Sequence, residues 1–392
     1  MRNSHYSKNL SQLMRCGKVQ CPDRIKKPCW LRRCDELSNG LDIHGFFLSE
    51  VGLGHSARLY YSAAASQNLN VSAINRQLPE RHGEKQFANI ILNKGTQKFG
   101  LNIDGLVGFG RLSREICRNR HNIALPMWEL EELPKRRIIN LTHFDALWAP
   151  STFIKESLEQ ALQRNVHLIR HPVSVFDQRG VNRNFFGPLK ILFFFDFDSF
   201  PARKNPEAAV KAFKMAFFRG EDVLLTIKTR GSADAGRRKW LAEQALSDRR
   251  ITIIDKTISS ESVNKLMSDH DVFLSLHRSE GFGLGCAEAL AVGNIVISTD
   301  YGGTRDFINE ETGFPVQWNR ISIKEGEYVE VENGTWADPS IEHAAHRLRE
   351  VYDDPKLAWK RALFGNEKLR QNHSVEVIGK KMREVLETYG LI

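Results

Sequence analysis

Residues 274–303 read LSLHRSEGFGLGCAEALAVGNIVISTDYGG, and their pattern decides the fold of the chain. An apolar segment, DVFLSLH, leads into a glycine-rich turn and a short helical pattern, and the apolar segment NIVIST follows. This order of strand, turn, helix and strand is typical of a parallel sheet, in which such turns lie at the carboxyl end of a strand, where ligands bind. The free amides of the first helical turn and the positive end of the helix dipole favour a phosphate there.

Two glutamates flank this turn, Glu280 and Glu288, with seven residues between them. Glu280 lies just before the predicted helix and Glu288 lies within it, so they can reach different parts of one ligand. A carboxylate offers good acceptor positions for vicinal hydroxyls. One carboxylate could bind a sugar and the other a ribose, while the amides between them bind the diphosphate. This arrangement predicts a nucleotide-sugar site. The alternative is an ordinary parallel-sheet crossover that carries two solvated glutamates.

Residues 275–293 resemble the retaining glycosyltransferases of family 4, whose pattern E-G-F-G-L-x-x-x-E-A-x-A-x-G is present here. The resemblance implies a GT-B fold, an α/β architecture in which two Rossmann-like, doubly wound domains face a central cleft. It implies that Glu280 contacts the donor sugar as a catalytic residue and that Glu288 binds the nucleotide ribose. It also implies that the diphosphate is held by four backbone amides, those of Gly281, Phe282, Gly283 and Leu284.

A second glycine-rich turn, in EVGLGHSARLYYSAA, follows the first predicted strand at 43–49. It contains Gly52 and Gly54 ahead of a helical pattern. By resemblance to family 4, this loop faces the donor diphosphate and the acceptor across the cleft, and its glycines permit close approach of backbone to ligand. The alternative is a helix start that needs small residues for packing.

Positive charges for the donor phosphates are predicted where the chain reads DFDSFPARKNPE, after the strand LKILFFFDF. Family 4 proteins place a lysine here before a helix, and Lys204 matches it as a second catalytic residue. The arginine that the family carries shortly before this lysine is replaced by Asp198, so we assign the second charge to Arg203 and a third to Lys228. Fixed cations would stabilise the negative charge on a departing nucleoside diphosphate. The alternative for each of them is a solvated basic loop.

Three further assignments complete the expected site. By resemblance, the segment around Ile258 holds the nucleobase, largely through backbone. Glu129, in WELEELPKRR, could face the acceptor or could be a cap or surface charge. Asp196 and Asp198 form an Asp-x-Asp pair, which binds a divalent cation in the other glycosyltransferase fold. Because lysines and helix amides already neutralise the diphosphate here, we expect no required metal and no other cofactor.

The composition is that of a soluble globular chain with room for two sizeable cores, since it has 392 residues of which 41% are hydrophobic. No apolar run approaches the roughly 20 residues needed to span a bilayer. The N-terminus lacks the compact apolar segment of a secretory signal. The chain has six cysteines and shows no signal that would direct it to an oxidising compartment, which favours reduced thiols. We therefore expect a cytoplasmic protein.

Most of the positive charge belongs to the N-terminal segment. Residues 1–40 hold nine lysines and arginines against three acidic residues, 9 − 3 = +6 of the total +9. This segment is either a solvated tail or a contact with an anionic membrane surface, at the inner face of the membrane. A zinc site is a further alternative, although the usual C-x2-C pairs are missing from its four cysteines, Cys16, Cys21, Cys29 and Cys34. The remaining chain has no basic and aromatic stripe, so we expect no nucleic-acid partner.

Alternating strand and helix patterns from residue 43 onward predict a doubly wound α/β fold. We expect five parts: an extension at 1–40, an acceptor-side domain at 41–172, a linker at 173–187, a nucleotide-sugar-binding domain at 188–370, and a helix within 371–392 that crosses back to the first domain. Further strands are predicted at 70–74, 101–107, 121–126, 144–148, 165–169, 189–197, 224–228, 251–255, 272–276, 294–298 and 313–316. From residue 337 the chain is predicted to be helical.

Together these patterns predict a retaining hexosyltransferase of EC 2.4 type. It would move a sugar from a nucleotide-sugar donor to a glycan or lipid-linked acceptor in polysaccharide biosynthesis. The segment SLHRSEGFGL resembles bacterial surface-polysaccharide and mannosyltransferase-like enzymes, so GDP-mannose is the expected donor and a UDP-sugar the alternative. Two other functions stay open: an epimerase or phosphorylase on the same fold, and a non-catalytic sugar-nucleotide-binding subunit of a glycan assembly complex.

Overall fold

The computed structural model describes residues 36–78, 83–178, 185–330 and 333–390. Within these ranges no helix is both long and apolar enough to cross a membrane. The four cysteines of the considered zinc site lie outside the described residues, as does most of the basic segment. The first strand begins at Ser38, so the first sheet includes residues that the sequence assigns to the extension.

Seven parallel strands form the first sheet, in the order β3-β2-β1-β4-β5-β6-β7. The strand order reverses between β1 and β4, and the crevice at such a point is where doubly wound proteins bind ligands. The strands are β1 Ser38–Gly45, β2 Val71–Asn75, β3 Ile91–Leu92, β4 Gln97–Gly105, β5 His121–Met127, β6 Ala146–Ala149 and β7 His167–Leu168. The helices are α1 Gly52–Ala65, α2 Phe109–Glu115, α3 Lys135–Leu141 and α4 Thr152–Leu162.

Six parallel strands form the second sheet, in the order β10-β9-β8-β11-β12-β13. These strands are β8 Leu189–Asp196, β9 Val223–Arg230, β10 Ile251–Asp255, β11 Val272–Ser275, β12 Ile295–Thr299 and β13 Phe314–Val316. The helices are α5 Pro201–Lys204, α6 Pro206–Ala216, α7 Ala235–Ser247, α8 Ser260–Ser268, α9 Leu284–Ala291, α10 Ile341–Asp353, α11 Pro355–His373 and α12 Val375–Thr388. The predicted architecture of two doubly wound α/β units is confirmed.

Two predictions of local structure are wrong. The first strand ends at Gly45 and does not reach residue 49, because the chain turns at Phe46, whose carbonyl accepts a hydrogen bond from the Ser49 amide at 3.0 Å. Residues 337–339 are not helical. They belong to an antiparallel hairpin of β14 Trp318–Ser322 and β15 Thr335–Pro339, which we call the arm. Its strands are short and carry charged residues, so they give no clear alternation of apolar side chains.

The last helix, α12, packs against α1 of the first sheet. Its buried side chains Ile378, Met382 and Leu386 share one hydrophobic cluster with Ala63 of α1. The two helices approach closely at Gly379, where a Cβ would lie 2.0 Å from the carbonyl oxygen of Ala63. The described part of the chain therefore starts in the first sheet and finishes with a helix packed against that unit, and the residues between them form the second sheet.

The chain passes between the two sheets twice, and the two crossings run side by side. Val173 on the first crossing forms a parallel bridge with Ser374 on the second, and its amide donates to the carbonyl of His373 at 2.8 Å. The His373 ring in turn donates from Nδ1 to the carbonyl of His171 at 3.0 Å.

Two buried histidines at these crossings enclose Phe282. The ring of His171 stacks on Phe282 with centroids 4.8 Å apart, and the ring of His373 lies 5.5 Å from it. His171 is 2% exposed, and its Nε2 lies 2.7 Å from Ser56 Oγ. Burial lowers the pKa of His171 to about 3 and that of His373 to about 4. Both rings are therefore neutral in the folded protein at neutral pH.

Acidification should destabilise the fold through His171. Its pKa is lower in the folded than in the unfolded chain, so the unfolded chain binds the proton first and stability falls as pH drops from about 6.5 towards 3. When the pH falls from 7 to 5, protonation of His171 in the unfolded chain should lower the unfolding free energy by about 2 kcal/mol. The variant His171→Gln should lack this part of the decrease. Denaturant titration at both pH values measures this difference. The matched control is His346→Gln, at an exposed histidine; equal pH dependence of His171→Gln and wild type would contradict the assignment.

Candidate active site

In the described part of the chain, four backbone amides at the turn between β11 and α9 donate no hydrogen bond to another protein group. Gly283 is left-handed, with φ 88°, and a Cβ there would lie 2.3 Å from Thr304 Cγ2, so this position requires glycine. Within the described ranges, no hydrogen bond is donated by the amides of Gly281, Phe282, Gly283 and Leu284. They lie at the positive end of α9, where an anion is favoured. Their role on a donor diphosphate stays a prediction.

Glu280 lies at the centre of a buried cluster of charges. The carboxylate is bonded to Lys204 Nζ and lies 3.1 Å from Arg203 Nη1, and the residue is only 8% exposed. Burial alone would raise the pKa of Glu280, but the charges of Lys204 and Arg203 outweigh it and hold the pKa at about 2. Three of the predicted site residues are therefore brought together, and Glu280 is an anion at neutral pH.

Glu129 of the first domain joins this cluster from the other side of the cleft. Its Oε1 lies 3.9 Å from Arg203 Nη2, and its Oε2 accepts a hydrogen bond from the Tyr328 hydroxyl of the arm. Its backbone carbonyl accepts a hydrogen bond from Ser279 Oγ. The predicted acceptor-side residue and the predicted sugar-contacting residue, Glu280, thus face the same guanidinium.

Glu288 meets the first domain at a separate point. Its Oε1 lies 3.0 Å from Nε2 of His55, and both side chains are partly exposed. His55 follows Gly54 directly in α1, so the two predicted glycine-rich turns converge across the cleft. The two glycines of α1 differ: a Cβ on Gly52 would meet nothing within 4 Å, whereas one on Gly54 would lie 2.3 Å from the carbonyl of Ser49. Packing therefore explains Gly54, and Gly52 borders open space.

Two further predicted donor contacts lie in β9 and after β10. Lys228 is 7% exposed and donates to the carbonyl of Thr229 at 3.1 Å, and burial lowers its pKa. Ile258 follows β10, the edge strand, which β9 and β8 separate from β11. In the described part of the chain, no hydrogen bond or ion pair joins Lys228 or Ile258 to Glu280 or Glu288.

The Asp-x-Asp pair is engaged by protein groups. Asp196 Oδ2 lies 2.8 Å from Nε of Arg230, which also donates to the carbonyl of Glu50 in the first domain. Asp198 Oδ1 accepts from the amides of Ser232 and Ala233 at 3.0 and 3.1 Å. Asp196 thus has a partner at the end of β9, and Asp198 has partners in the loop that follows this strand.

The first domain covers the glycine-rich turn of the second. A Cβ on Gly281 would lie 2.3 Å from the carbonyl of Trp128, and the carbonyl of Gly281 accepts a hydrogen bond from Ser151 Oγ. The Thr152 amide donates to Asp306 at 2.8 Å across the same boundary. The two domains are in contact here, so a ligand that binds between them requires the cleft to open.

Two residues in contact with the predicted carboxylates are not among those that the sequence singles out. His55 follows the pair of glycines in the first turn, and its place there is the signal that could identify it. Tyr328 lies in the arm, whose sequence predicts no site. Its contact with Glu129 depends on how the two domains meet, and spacing along the chain does not reveal that.

Part of the second half of the chain is similar to a known family. Residues 192–367 match the family model described as "Glycosyl transferases group 1". One similar protein is "Uncharacterized glycosyltransferase YqgM" of Bacillus subtilis (strain 168), which is 25% identical over 168 residues. That alignment spans 42% of this chain and 44% of the relative, less than half the length of either.

Solved structures resemble most of the chain. A structure of Anabaena HepE in complex with UDP-glucose covers 89% of this chain and 99% of its own, with a TM-score of 0.64 and 11% identity. A structure of S. aureus TarM in complex with Fondaparinux, alpha-GlcNAc-glycerol and UDP has a TM-score of 0.57 and 15% identity, covering 73% of this chain and 54% of its own. At such identities the likeness shows the fold. The chain thus has the GT-B fold, and residues 192–367 of its second domain match the model of the group 1 glycosyl transferases.

Proposed function

We propose that the protein is a retaining hexosyltransferase that moves a sugar from a nucleotide-sugar donor to a glycan or lipid-linked acceptor. One observation carries the proposal: Glu280 lies just before the glycine-rich turn and Glu288 lies in α9 after it, and in the described part of the chain the amides of the turn donate no hydrogen bond. Each carboxylate also faces a first-domain residue, Glu129 through Arg203 at one end and His55 at the other. The arrangement offers acceptors for a sugar and a ribose, with anion-binding donors between them.

The donor would bind with its diphosphate on the amides of the turn and against Lys204. In the closed structure Lys204 is bonded to Glu280, so an entering phosphate would compete with that carboxylate for the ammonium group. Arg203 stays 3.1 Å from Glu280 and, at 4% exposure, would keep the carboxylate ionised. Glu280 is then free to accept hydrogen bonds from sugar hydroxyls. Lys228 and Ile258, which lie elsewhere in the domain, would reach only a distal part of the donor.

The transfer breaks the bond between the anomeric carbon and the phosphate oxygen and forms one from that carbon to the acceptor oxygen. We propose that the acceptor attacks the face from which the nucleoside diphosphate departs, and that its proton passes to the departing phosphate oxygen. Because the pKa of Glu280 is about 2, this residue is a poor proton acceptor at neutral pH. Its charge would instead stabilise the positive anomeric carbon, and Lys204 would stabilise the leaving group.

The donor and the pathway are proposed as well. The HepE and TarM structures are complexes with UDP-glucose and with UDP, which favours a UDP-sugar here. GDP-mannose, expected from the resemblance of the glycine-rich motif, is the second candidate. Polysaccharide biosynthesis and a cytoplasmic place at an anionic membrane surface would fit a lipid-linked acceptor.

A panel of nucleotide sugars tests the proposed function on the full chain. Thermal shift should show stabilisation by one UDP- or GDP-sugar and by its nucleoside diphosphate, because both fill the turn. The bound sugar nucleotide should then be hydrolysed slowly by water and should release nucleoside diphosphate. Conversion of the sugar without release of nucleotide would indicate an epimerase, and turnover that requires phosphate would indicate a phosphorylase. No stabilisation by any member would contradict the proposal.

Glu280→Gln should abolish transfer without abolishing nucleotide binding. The variant keeps the size of the side chain but removes the charge that faces the anomeric carbon, so kcat should fall by about 10²–10³. Loss of one partner in a buried charge cluster should also lower the unfolding free energy by about 3 kcal/mol. Assays must therefore run below the melting temperature, with circular dichroism as the check on folding. Glu311→Gln, at an exposed position, is the matched control. Full activity of Glu280→Gln would refute the assigned role.

Lys204→Ala should weaken binding of the donor diphosphate. A charge-assisted hydrogen bond to phosphate is worth about 1.5–3 kcal/mol, so Kd for the nucleoside diphosphate should rise about ten- to hundredfold. Calorimetric titration with the nucleoside diphosphate found by the panel measures this directly. Lys211→Ala, at an exposed lysine of α6, should bind like wild type. An unchanged Kd in Lys204→Ala would remove this lysine from the site.

A further inference from the structure

The arm is fixed to the second domain at its base. Trp318 at the start of β14 donates from Nε1 to the carbonyl of Asp300 at 2.7 Å. Trp336 in β15 is fully buried, and Arg278 lies over its ring at 5.6 Å. The Ala337 amide donates to the carbonyl of Arg278 at 3.0 Å. These contacts attach β14 to the residue that follows β12 and attach β15 to the segment that precedes Glu280, so the arm is held next to the candidate site.

The far part of the arm contacts one segment of the first domain, residues 128–137. Glu330 accepts from Arg136 at 2.9 Å and is also bonded to Arg137, and its carboxylate is largely buried. Arg320 of β14 bonds Glu131 at 2.8 Å. Arm and segment thus carry charges of opposite sign at both points of contact. This is the same segment that places Glu129 beside Arg203.

Tyr328 lies between Arg320 and Glu330 along the chain, and it reaches the charge cluster. It is 8% exposed, and its hydroxyl donates to Glu129 Oε2. Burial and the neighbouring Glu129 charge raise its pKa well above the usual value, so the hydroxyl stays protonated and donates. The other oxygen of Glu129 faces Arg203, which pairs with Glu280. A continuous path of polar contacts therefore links the arm to the predicted sugar-contacting carboxylate.

Phe200 provides an exposed apolar surface next to this path. Its ring lies 4.9 Å from that of Tyr328, and the residue is still 38% exposed. Its backbone is left-handed, with φ 51°, immediately before Pro201. A bulky residue in this region is strained by about 1–3 kcal/mol, and such strain persists where surrounding structure imposes it. Phe200 precedes Arg203 and Lys204 by only a few residues, so the strained turn orients the ring and both cations together.

We propose that the arm completes an acceptor subsite for a pyranose ring, with Glu129 as the group that binds the acceptor hydroxyl. This inference rests on the proposed function and adds the acceptor class to it. Tyr328 is a positioning residue: by occupying Oε2 of Glu129, it leaves Oε1 to accept from the acceptor hydroxyl beside Arg203. The exposed ring of Phe200 packs against the apolar face of the pyranose. The acceptor proton passes to the departing phosphate oxygen as above.

The proposed subsite gives a role to the groups that surround Glu129. A carboxylate oriented by one donor and one cation is a strong, fixed acceptor, and acceptor hydroxyls that cannot reach it would bind more weakly. Because Tyr328 comes from the second domain and Glu129 from the first, the subsite is complete only when the cleft is closed. Closure would therefore join donor and acceptor binding in one movement.

Tyr328→Phe tests the proposal, because it removes the hydroxyl and keeps the ring. The probe acceptors are p-nitrophenyl glycosides of glucose, galactose, mannose and N-acetylglucosamine, with the donor found by the nucleotide-sugar panel. For the best probe, kcat/KM should fall about ten- to hundredfold, mainly through a higher acceptor KM, since a hydrogen bond to a charged group is lost. The Kd of the nucleoside diphosphate and the rate of donor hydrolysis by water should stay within about twofold of wild type.

Two matched controls separate this from a general disturbance of the arm. Tyr352→Phe removes a hydroxyl from another tyrosine of the second domain. Arg320→Ala breaks the exposed ion pair with Glu131, which is worth little. Both should leave acceptor kcat/KM within about threefold of wild type. Phe200→Leu should raise acceptor KM without changing donor hydrolysis.

The outcomes distinguish failure of the subsite from failure of the proposed function. An unchanged acceptor KM in Tyr328→Phe, or an equal loss of acceptor transfer and donor hydrolysis, would overturn the positioning role. Binding and hydrolysis of the donor with no transfer to any glycoside probe would overturn the pyranose subsite alone. Absence of nucleotide-sugar binding in the wild type would overturn the proposed function, and the subsite with it.

Discussion

The candidate site depends on one interaction, the buried pairing of Glu280 with Arg203 and Lys204. None of these charges could be buried alone without a large loss of hydration, and each is held because the others are present. The pairing joins the short helix α5 to the turn that precedes α9, two segments far apart in sequence. It therefore fixes the relative position of the cations and the unbonded amides, which is what a diphosphate would require.

The same cluster explains why strained backbone is tolerated around α5. Phe200 and Asn205, on either side of it, are both left-handed, with φ of 51° and 57°. Two such residues cost about 1–3 kcal/mol each. The geometry they impose turns the two basic side chains of α5 towards one carboxylate. Strain at this place is compatible with stability because the charge pairing and the packing of Tyr328 on Phe200 act against it.

The fold and part of the site could be predicted from the sequence, for reasons that are local. The motif around Glu280 combines a strand, a glycine turn and a helix start in one stretch, and the turn forms as that pattern predicts, with Gly283 left-handed. Lys204 is predicted by its match to the lysine that family 4 proteins place before a helix, and the structure brings it to Glu280. Lys228 is predicted from its place near the end of β9, and its amine bonds the carbonyl of the next residue. Position near the end of a strand does not determine where a long side chain points.

What the sequence could not predict lies between the domains. His55 reaches Glu288 and Tyr328 reaches Glu129 only because two separately folded units meet face to face. Such contacts have no periodicity or spacing along the chain. The arm adds a second difficulty, because its two short strands with charged side chains resemble a polar loop. Its contact with the first domain is recognised only when the partners of Glu330 and Arg320 are known.

The paired crossings of the chain have a mechanical consequence. Val173 and Ser374 lie side by side in a parallel bridge, and a backbone hydrogen bond ties Val173 to His373. Two neighbouring connections form a hinge. They permit rotation of the domains about one axis and resist twisting or sliding. The facing surfaces of the two domains therefore return to the same relative position each time the cleft opens and closes. The arm then contacts residues 128–137 again in the same way.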